Sequence, residues 1–195
     1  MLQQRGIQTL EELRAVDLRE VRQKAIEKLN EYWADEEEEI KMDDRQFRNV
    51  MGKFATGVTV VATEVDGKVH GMTANAFMSV SLNPMLVVVS IAEKAQMLEK
   101  IKQSGTFSVN ILSDDQQELS MIFAGQVKNH QEVEFDLLDG VPVLPNALAQ
   151  ISCVVSAAHV EGDHTLFIGK VTDILVNDSE PLIYYSGKYR SLAEG

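Results

Sequence analysis

A chain of 195 residues with 45% apolar side chains fits one domain of ordinary size with a real core, plus an appendage. Its net charge of -12 opposes binding to nucleic acid phosphates and anionic membranes, and no apolar run approaches the roughly 18 residues of a membrane span. A lone cysteine, Cys153, excludes an internal disulfide and a thiolate metal cage, and the opening MLQQRGIQ lacks the order of a secretory signal, so a cytoplasmic protein is expected.

Residues 1–41 hold 7 Lys/Arg against 11 Asp/Glu, net -4, and the remaining 154 hold 11 against 19, net -8. Thr9 to Trp33 reads as helix. Leu18, Val21, Ala25, Leu29 and Tyr32 recur at three- and four-residue steps, and Thr9 with Glu12 forms a capping-box pattern. The acidic run from Asp35 to Glu39 marks a linker or frayed helix end. The composition shifts after it, which predicts a helical acidic extension over 1–41 and a second domain over 42–195.

The second domain opens with a helix over Asp44 to Phe54, its apolar side formed by Phe47, Val50, Met51 and Phe54. Strands are expected at Val58–Thr63 and from Val69 onward, joined by the tight-turn pair Asp66-Gly67. Met85 to Ile91 is a continuous apolar strand. Lys94 to Ser104 is a helix stopped by Gly105, and Phe107 to Leu112 a strand. Ser113, with Gln116 three residues on, caps a helix reaching Phe123. After a loop containing Pro142 and Pro145, long strands run over Ala149–Glu161 and Thr165–Val176, around the turn Gly162-Asp163-His164. Leu182 to Tyr185 is the last strand. Cys153 reads as a small buried hydrophobe. About seven strands with short inserted helices, and no regular strand–helix alternation, argue against a parallel nucleotide-binding sheet and for a mainly β protein built as a closed antiparallel barrel.

The sequence contains no GxGxxG, Walker loop, HExxH or GxSxG. Its histidines are His70, His130, His159 and His164. Only the last two stand at ligand-like spacing, and no acidic or thiolate set completes a zinc site with them. The stretch from Gly71 to Pro84, GMTANAFMSVSLNP, is rich in small hydroxyl and amide residues between apolar strands. Small side chains let backbone groups approach a planar ligand. Composition alone favours a polar edge strand ending in a turn at Asn83-Pro84.

Met72-Thr73-Ala74-Asn75 followed by Ser79-Val80-Ser81-Leu82-Asn83-Pro84 resembles the flavin-binding signature of the short-chain flavin reductases. These are the reductase components of two-component phenol and 4-hydroxyphenylacetate monooxygenases. Phe54-Ala55-Thr56-Gly57-Val58-Thr59-Val60-Val61, Asn110-Ile111-Leu112, Phe123-Ala124-Gly125, Gly162-Asp163-His164 and Ser186-Gly187-Lys188-Tyr189 also match, so the resemblance runs from about Met42 to Tyr189.

The resemblance implies an FMN-binding split barrel, a Greek-key antiparallel barrel, here with an N-terminal helical extension, and a homodimer with the flavin near the dimer interface. Carried over by motif, Thr73, Ala74, Asn75, Ala76 and Phe77 line the isoalloxazine ring, and Ser79 and Val80 continue along it. Lys94, Ala95 and Gln96 open the helix that receives the flavin phosphate at its positive end, with Lys100 and Ile101 one turn on. Gln126 is a further flavin contact. His164 is expected on the nicotinamide side, bonding the carboxamide or stabilising negative charge on reduced flavin, and Tyr189 packs against either ring. The implied activity is hydride transfer from NADH C4 to N5 of FAD or FMN, with reduced flavin diffusing to a separate oxygenase. Rival readings are a pyridoxamine-phosphate-type oxidase, against which stands the absence of an arginine cluster, and a flavin-binding sensor or storage module without NADH turnover.

Overall fold

The computed structural model describes residues 18–34, 43–128 and 132–192. Two compact units meet in the chain between Phe47 and Arg48. In the first, helix α1 spans Leu18–Ala34, within the expected helix. The expected first part of that helix with its Thr9 capping box, and the acidic run at 35–39, lie outside the described residues. Helix α2 spans Asp44–Met51 across the boundary. Asp43 Oδ1 accepts the Arg45 N–H at 3.0 Å at its start. It stops before Phe54, whose N–H turns back to the Met51 carbonyl at 3.1 Å.

The second unit is mainly β. Its strands are β1 Thr56–Gly57, β2 Thr59–Val65, β3 Lys68–Ala74, β4 Phe77–Leu82, β5 Met85–Ala92, β6 Thr106–Ile111, β7 Asp136–Leu138, β8 Val141–Val143, β9 Ala149–Glu161, β10 His164–Val176, β11 Ile183–Tyr185 and β12 Lys188–Arg190. Helices α3 (Gln96–Ser104) and α4 (Gln117–Phe123) are inserted between them. Seven strands form one antiparallel sheet in the order β3-β2-β6-β9-β10-β5-β4.

Local chemistry accounts for the turns. Asp66 and Gly67 both take positive φ, 53° and 72°, as a two-residue hairpin requires. Gly105 caps α3 at φ 71° and returns its N–H to the Ile101 carbonyl. The Ser113–Gln116 capping box forms as expected, heading a 3-10 turn that runs into α4.

Strands β3 and β4 are the two edges of the sheet, yet only Asn75 and Ala76 separate them in sequence. Two residues span only about 7 Å, so the sheet curls until its edges meet at that end. No ladder joins the edges, so the curl stays open along the rest of its length. α3 packs inside this opening. Its Met97, Leu98 and Ile101 share a core with Val61, Val87, Val89, Ile91, Phe107 and Phe167. A second cluster, around Val58, Val60, Leu112, Leu144 and Leu182, is joined by Leu119 and Phe123 of α4. Cys153 is buried in the first cluster, and burial pushes its thiol up to about 12.

Candidate functional site

The bend between the two sheet edges is the first part of the site. β3 delivers Thr73 and Ala74 to it, and β4 carries Phe77, Ser79 and Val80 away. Alternation along a strand sends neighbours to opposite faces. Ala74 and Phe77 pack against the inner core, whereas Thr73 Oγ1 donates to the Ser120 carbonyl of α4 at 2.7 Å. Asn75 and Ala76 are exposed at the bend, whereas Thr73, Ala74 and Phe77 are half-buried. Two backbone bonds brace the bend, Phe77 N–H to Asn75 O at 2.9 Å and Ser90 N–H to Ala76 O at 3.0 Å. Ser79 and Val80 are exposed on the edge strand, and a register shift between Ser79 and Ser81 leaves Val80 outside the ladder.

The β9–β10 turn is the second part. His164 opens β10 opposite Ala92 of β5, two residues along from the Ser90 that holds the bend. Val87, Val89 and Ile91 are buried, so the intervening Ser90 and Ala92 face outward, and His164 with them. One end of β5 thus carries the bend on one flank and His164 on the other. His164 Nδ1 lies 2.7 Å from Asp163 Oδ1. The carboxylate only accepts, so Nδ1 donates and Nε2 is left for a ligand. The hydrogen bond from His164, and then its charge, hold the Asp163 carboxyl below the usual carboxylate range.

Glu93 ties this turn to the start of α3. Its N–H donates to the Asp163 carbonyl at 2.9 Å, and its Oε1 accepts the Thr165 hydroxyl. Lys94 follows it, exposed and within electrostatic reach of Asp163. Ala95 is the extended residue preceding α3, and the exposed Gln96 begins the helix. A pocket of about 380 Å³ opens here, between Val69–Met72 of β3 and Ala95, Gln96, Met97 and Lys100. Ile101 is fully buried and contributes packing alone.

The structure thus gathers Asn75, Ala76, Lys94, Ala95, Gln96, Lys100 and His164 around the open seam. Tyr189 and Gln126 sit elsewhere, Tyr189 on β12 beside α4 and Gln126 past the end of α4. The Tyr189 hydroxyl lies 2.8 Å from Ser120 Oγ, and its ring packs edge-on against Tyr184 at 5.3 Å. Gln126 is exposed beyond the helix, its N–H on the Met121 carbonyl at 3.0 Å. Tyr189 still reaches the bend indirectly, because Ser120 links it to Thr73. Sequence reasoning missed His70, which lines the pocket beside Lys100. The available signal was its even spacing from Met72 and Ala74, which puts all three on one face of β3. The Asp163 charge is paired with His164, and Glu99 with Lys102 at 3.0 Å.

Comparison with known proteins fits this geometry. A family model described as a flavin reductase like domain matches residues 51–193. A Rhodococcus protein named NADH-dependent flavin reductase is 47% identical over 148 residues, covering 74% of this chain and 84% of its own. The reductase component of a 4-hydroxyphenylacetate 3-monooxygenase from Thermus thermophilus is 37% identical, over 75% of this chain and 95% of its own. Among solved structures, flavin reductase PheA2 in its native state superposes with a TM-score of 0.77 at 65% identity, over 78% of this chain and all of that one. With the matched model spanning well over half of its length and relatives this similar, the chain belongs to the flavin reductase-like domain family.

Proposed function

We propose that this chain is an NADH-dependent flavin reductase that transfers a hydride from NADH to FAD or FMN and supplies reduced flavin to a separate aromatic monooxygenase. The observation that carries the reading is the outward-facing pair at the end of β5, the exposed Asn75–Ala76 bend on one flank and His164 on the other. The residues present fit a flavin. The bend offers backbone and an amide to a flat ring, and the adjoining pocket of about 380 Å³ has Lys100 in its wall. The flavin and NADH supply the redox chemistry when bound.

The chain's own task is alignment. Asn75 and Ala76 seat the ring edge. Lys94, Ala95, Gln96 and Lys100 receive the phosphate end at the start of α3, where exposed N–H groups favour an anion. Asp163 holds the His164 imidazole through Nδ1 so that Nε2 is turned to the nicotinamide carboxamide. This division of labour needs no side-chain acid or base for the hydride itself.

Three finer features belong to the same proposal. The curled sheet with its edges meeting at the bend supports a Greek-key split barrel, with residues 1–41 as a helical extension and 42–195 as the reductase domain. Exposed apolar side chains on β4, β9 and β10, including Met78, Leu82, Val160 and Val176, support a homodimer. The acidic chain, in which no helix among the described residues is long and apolar enough to cross a membrane, is read as cytoplasmic.

The test is a steady-state assay of NADH oxidation with FAD, FMN and riboflavin in turn. Flavin-dependent turnover is expected. Tight flavin binding with NADH consumption no faster than the uncatalysed rate would defeat the proposal.

A further inference from the structure

We propose that His70, acting with Lys100, forms an anion subsite for the phosphate end of a flavin nucleotide and makes the preference for nucleotide over riboflavin depend on protonation. This rests on the reading of the chain as a flavin reductase and deepens it, because the stretch that carries the resemblance begins at Met72 and leaves His70 without a role.

The face of β3 on which His70 stands is fixed by its neighbours. A Cβ on Gly71 would sit 2.5 Å from the Phe123 ring, and Thr73 bonds Ser120, so the odd positions face α4. Met72 and Ala74 pack against the core that contains Met97, Leu98 and Ile101, so the even positions face α3. His70 shares that face, and the pocket between β3 and α3 opens directly beside it. Its partner on β2 is Thr63, whose hydroxyl is engaged with Ser104 and the Thr106 carbonyl.

The charged groups around His70 are cations. Lys100 faces it from α3 and Lys68 lies two residues back on β3; both oppose its protonation, after the larger effect of partial burial. Among the described residues neither lysine is ion-paired. Glu64 pairs with Val69 and so belongs to the opposite face, Glu118 lies on α4 against that same opposite face, and Glu99 of α3 is engaged with Lys102. Two basic groups, His70 and Lys100, line one pocket with Lys68 in electrostatic reach of His70, and in a chain of net charge -12 they suit a ligand that brings its own negative charge. The spacing agrees. Met72 is three and His70 five residues back from Asn75, about 10 and 17 Å at the rise of an extended strand. The pocket is therefore within reach of the side chain of a flavin whose ring is seated at the bend.

The sign of the pH effect follows from linkage. Without ligand, burial and two lysines hold the His70 imidazole below its ordinary value, hence neutral at pH 7. A phosphate in the pocket favours the imidazolium, so binding takes up a proton and tightens as pH falls through the histidine range. A shift of about one pKa unit on binding corresponds to about tenfold tighter binding below the histidine pKa than above it.

The experiment is equilibrium titration of flavin fluorescence with the full-length protein between pH 5.5 and 8.5. FAD is the principal probe, since its diphosphate keeps its charge over this range, whereas the FMN phosphate itself titrates near about pH 6. Riboflavin isolates the ring. FAD affinity is expected to rise about tenfold toward low pH while riboflavin affinity stays flat, and His70→Gln is expected to remove the FAD slope. A riboflavin profile as steep as that of FAD overturns the proposal, as does a wild-type FAD profile without slope or a His70→Gln slope equal to wild type. Absence of any flavin binding at every pH would instead overturn the reductase reading itself.

Discussion

His164 shows how little side-chain chemistry this site needs. Its imidazole is oriented by Asp163 at 2.7 Å, and the pair is exposed, so its worth lies in orientation more than in stability. On the proposed role, replacing His164 by Ala removes one hydrogen bond to the nicotinamide, and kcat/KM for NADH is expected to fall about 10- to 100-fold with flavin affinity little changed. Asp163→Asn is expected to give an intermediate loss. The Asp163 carboxyl is held below the usual range, so the pair persists at neutral and mildly acidic pH and is lost only as pH falls through that lowered value. Steady-state kinetics against pH check both; an Asp163→Asn enzyme identical to wild type throughout would refute the orienting role. The neighbouring residues show where a motif stops being informative. The signature from Thr73 to Phe77 locates the bend, but strand alternation decides that Thr73 turns to α4 and Phe77 to the core, leaving Asn75 and Ala76 exposed. Ile101 follows the same logic, since helical periodicity points it inward beside Met97 and Leu98.

Most of the elements were legible because their local signals agree. The Asp66-Gly67 hairpin, the Gly105 stop of α3, the Ser113–Gln116 capping box and the long strand β9 all follow from residue chemistry within a few positions. Others depend on distant partners. β4 was one of two readings of a polar stretch, and it becomes a strand by pairing with β5. β7 and β8 form a hairpin inside what composition reads as a proline-containing loop, held by their mutual ladder and by Ser108 and Ser152 bonding to the Pro142 and Leu138 carbonyls. The close approach at Gly169 in β10 was equally invisible. A Cβ there would meet the Phe107 ring at 2.5 Å and the Cys153 Cβ at 2.9 Å. Gly169→Ala is therefore expected to destabilise the fold by about 1–3 kcal/mol through overpacking. At about 2–4 °C per kcal/mol for a domain of this size, thermal melting should fall by about 2–12 °C. An unchanged midpoint would mean that the β9–β10 bulge absorbs the extra methyl.

At the largest scale, the second unit is an antiparallel sheet curled so that its two edges meet at a single bend, with a helix in the remaining opening and the candidate site along the seam. Strand count and the lack of strand–helix alternation anticipated the class. The order β3-β2-β6-β9-β10-β5-β4 was not readable, because antiparallel pairing between distant strands leaves no local mark. The same curled sheet leaves apolar side chains outside it, and Leu82 is 90% exposed. Sedimentation equilibrium is expected to give twice the chain mass of 21.7 kDa, and Leu82→Asp to weaken the association. A wild-type monomer at micromolar concentration would contradict the proposed homodimer. The reductase activity itself is reached most directly by anaerobic stopped-flow mixing of the protein with NADH and FAD or FMN. Rapid bleaching of the oxidised flavin absorbance, dependent on the protein, is the predicted result; flavin absorbance that persists with NADH in excess would contradict it.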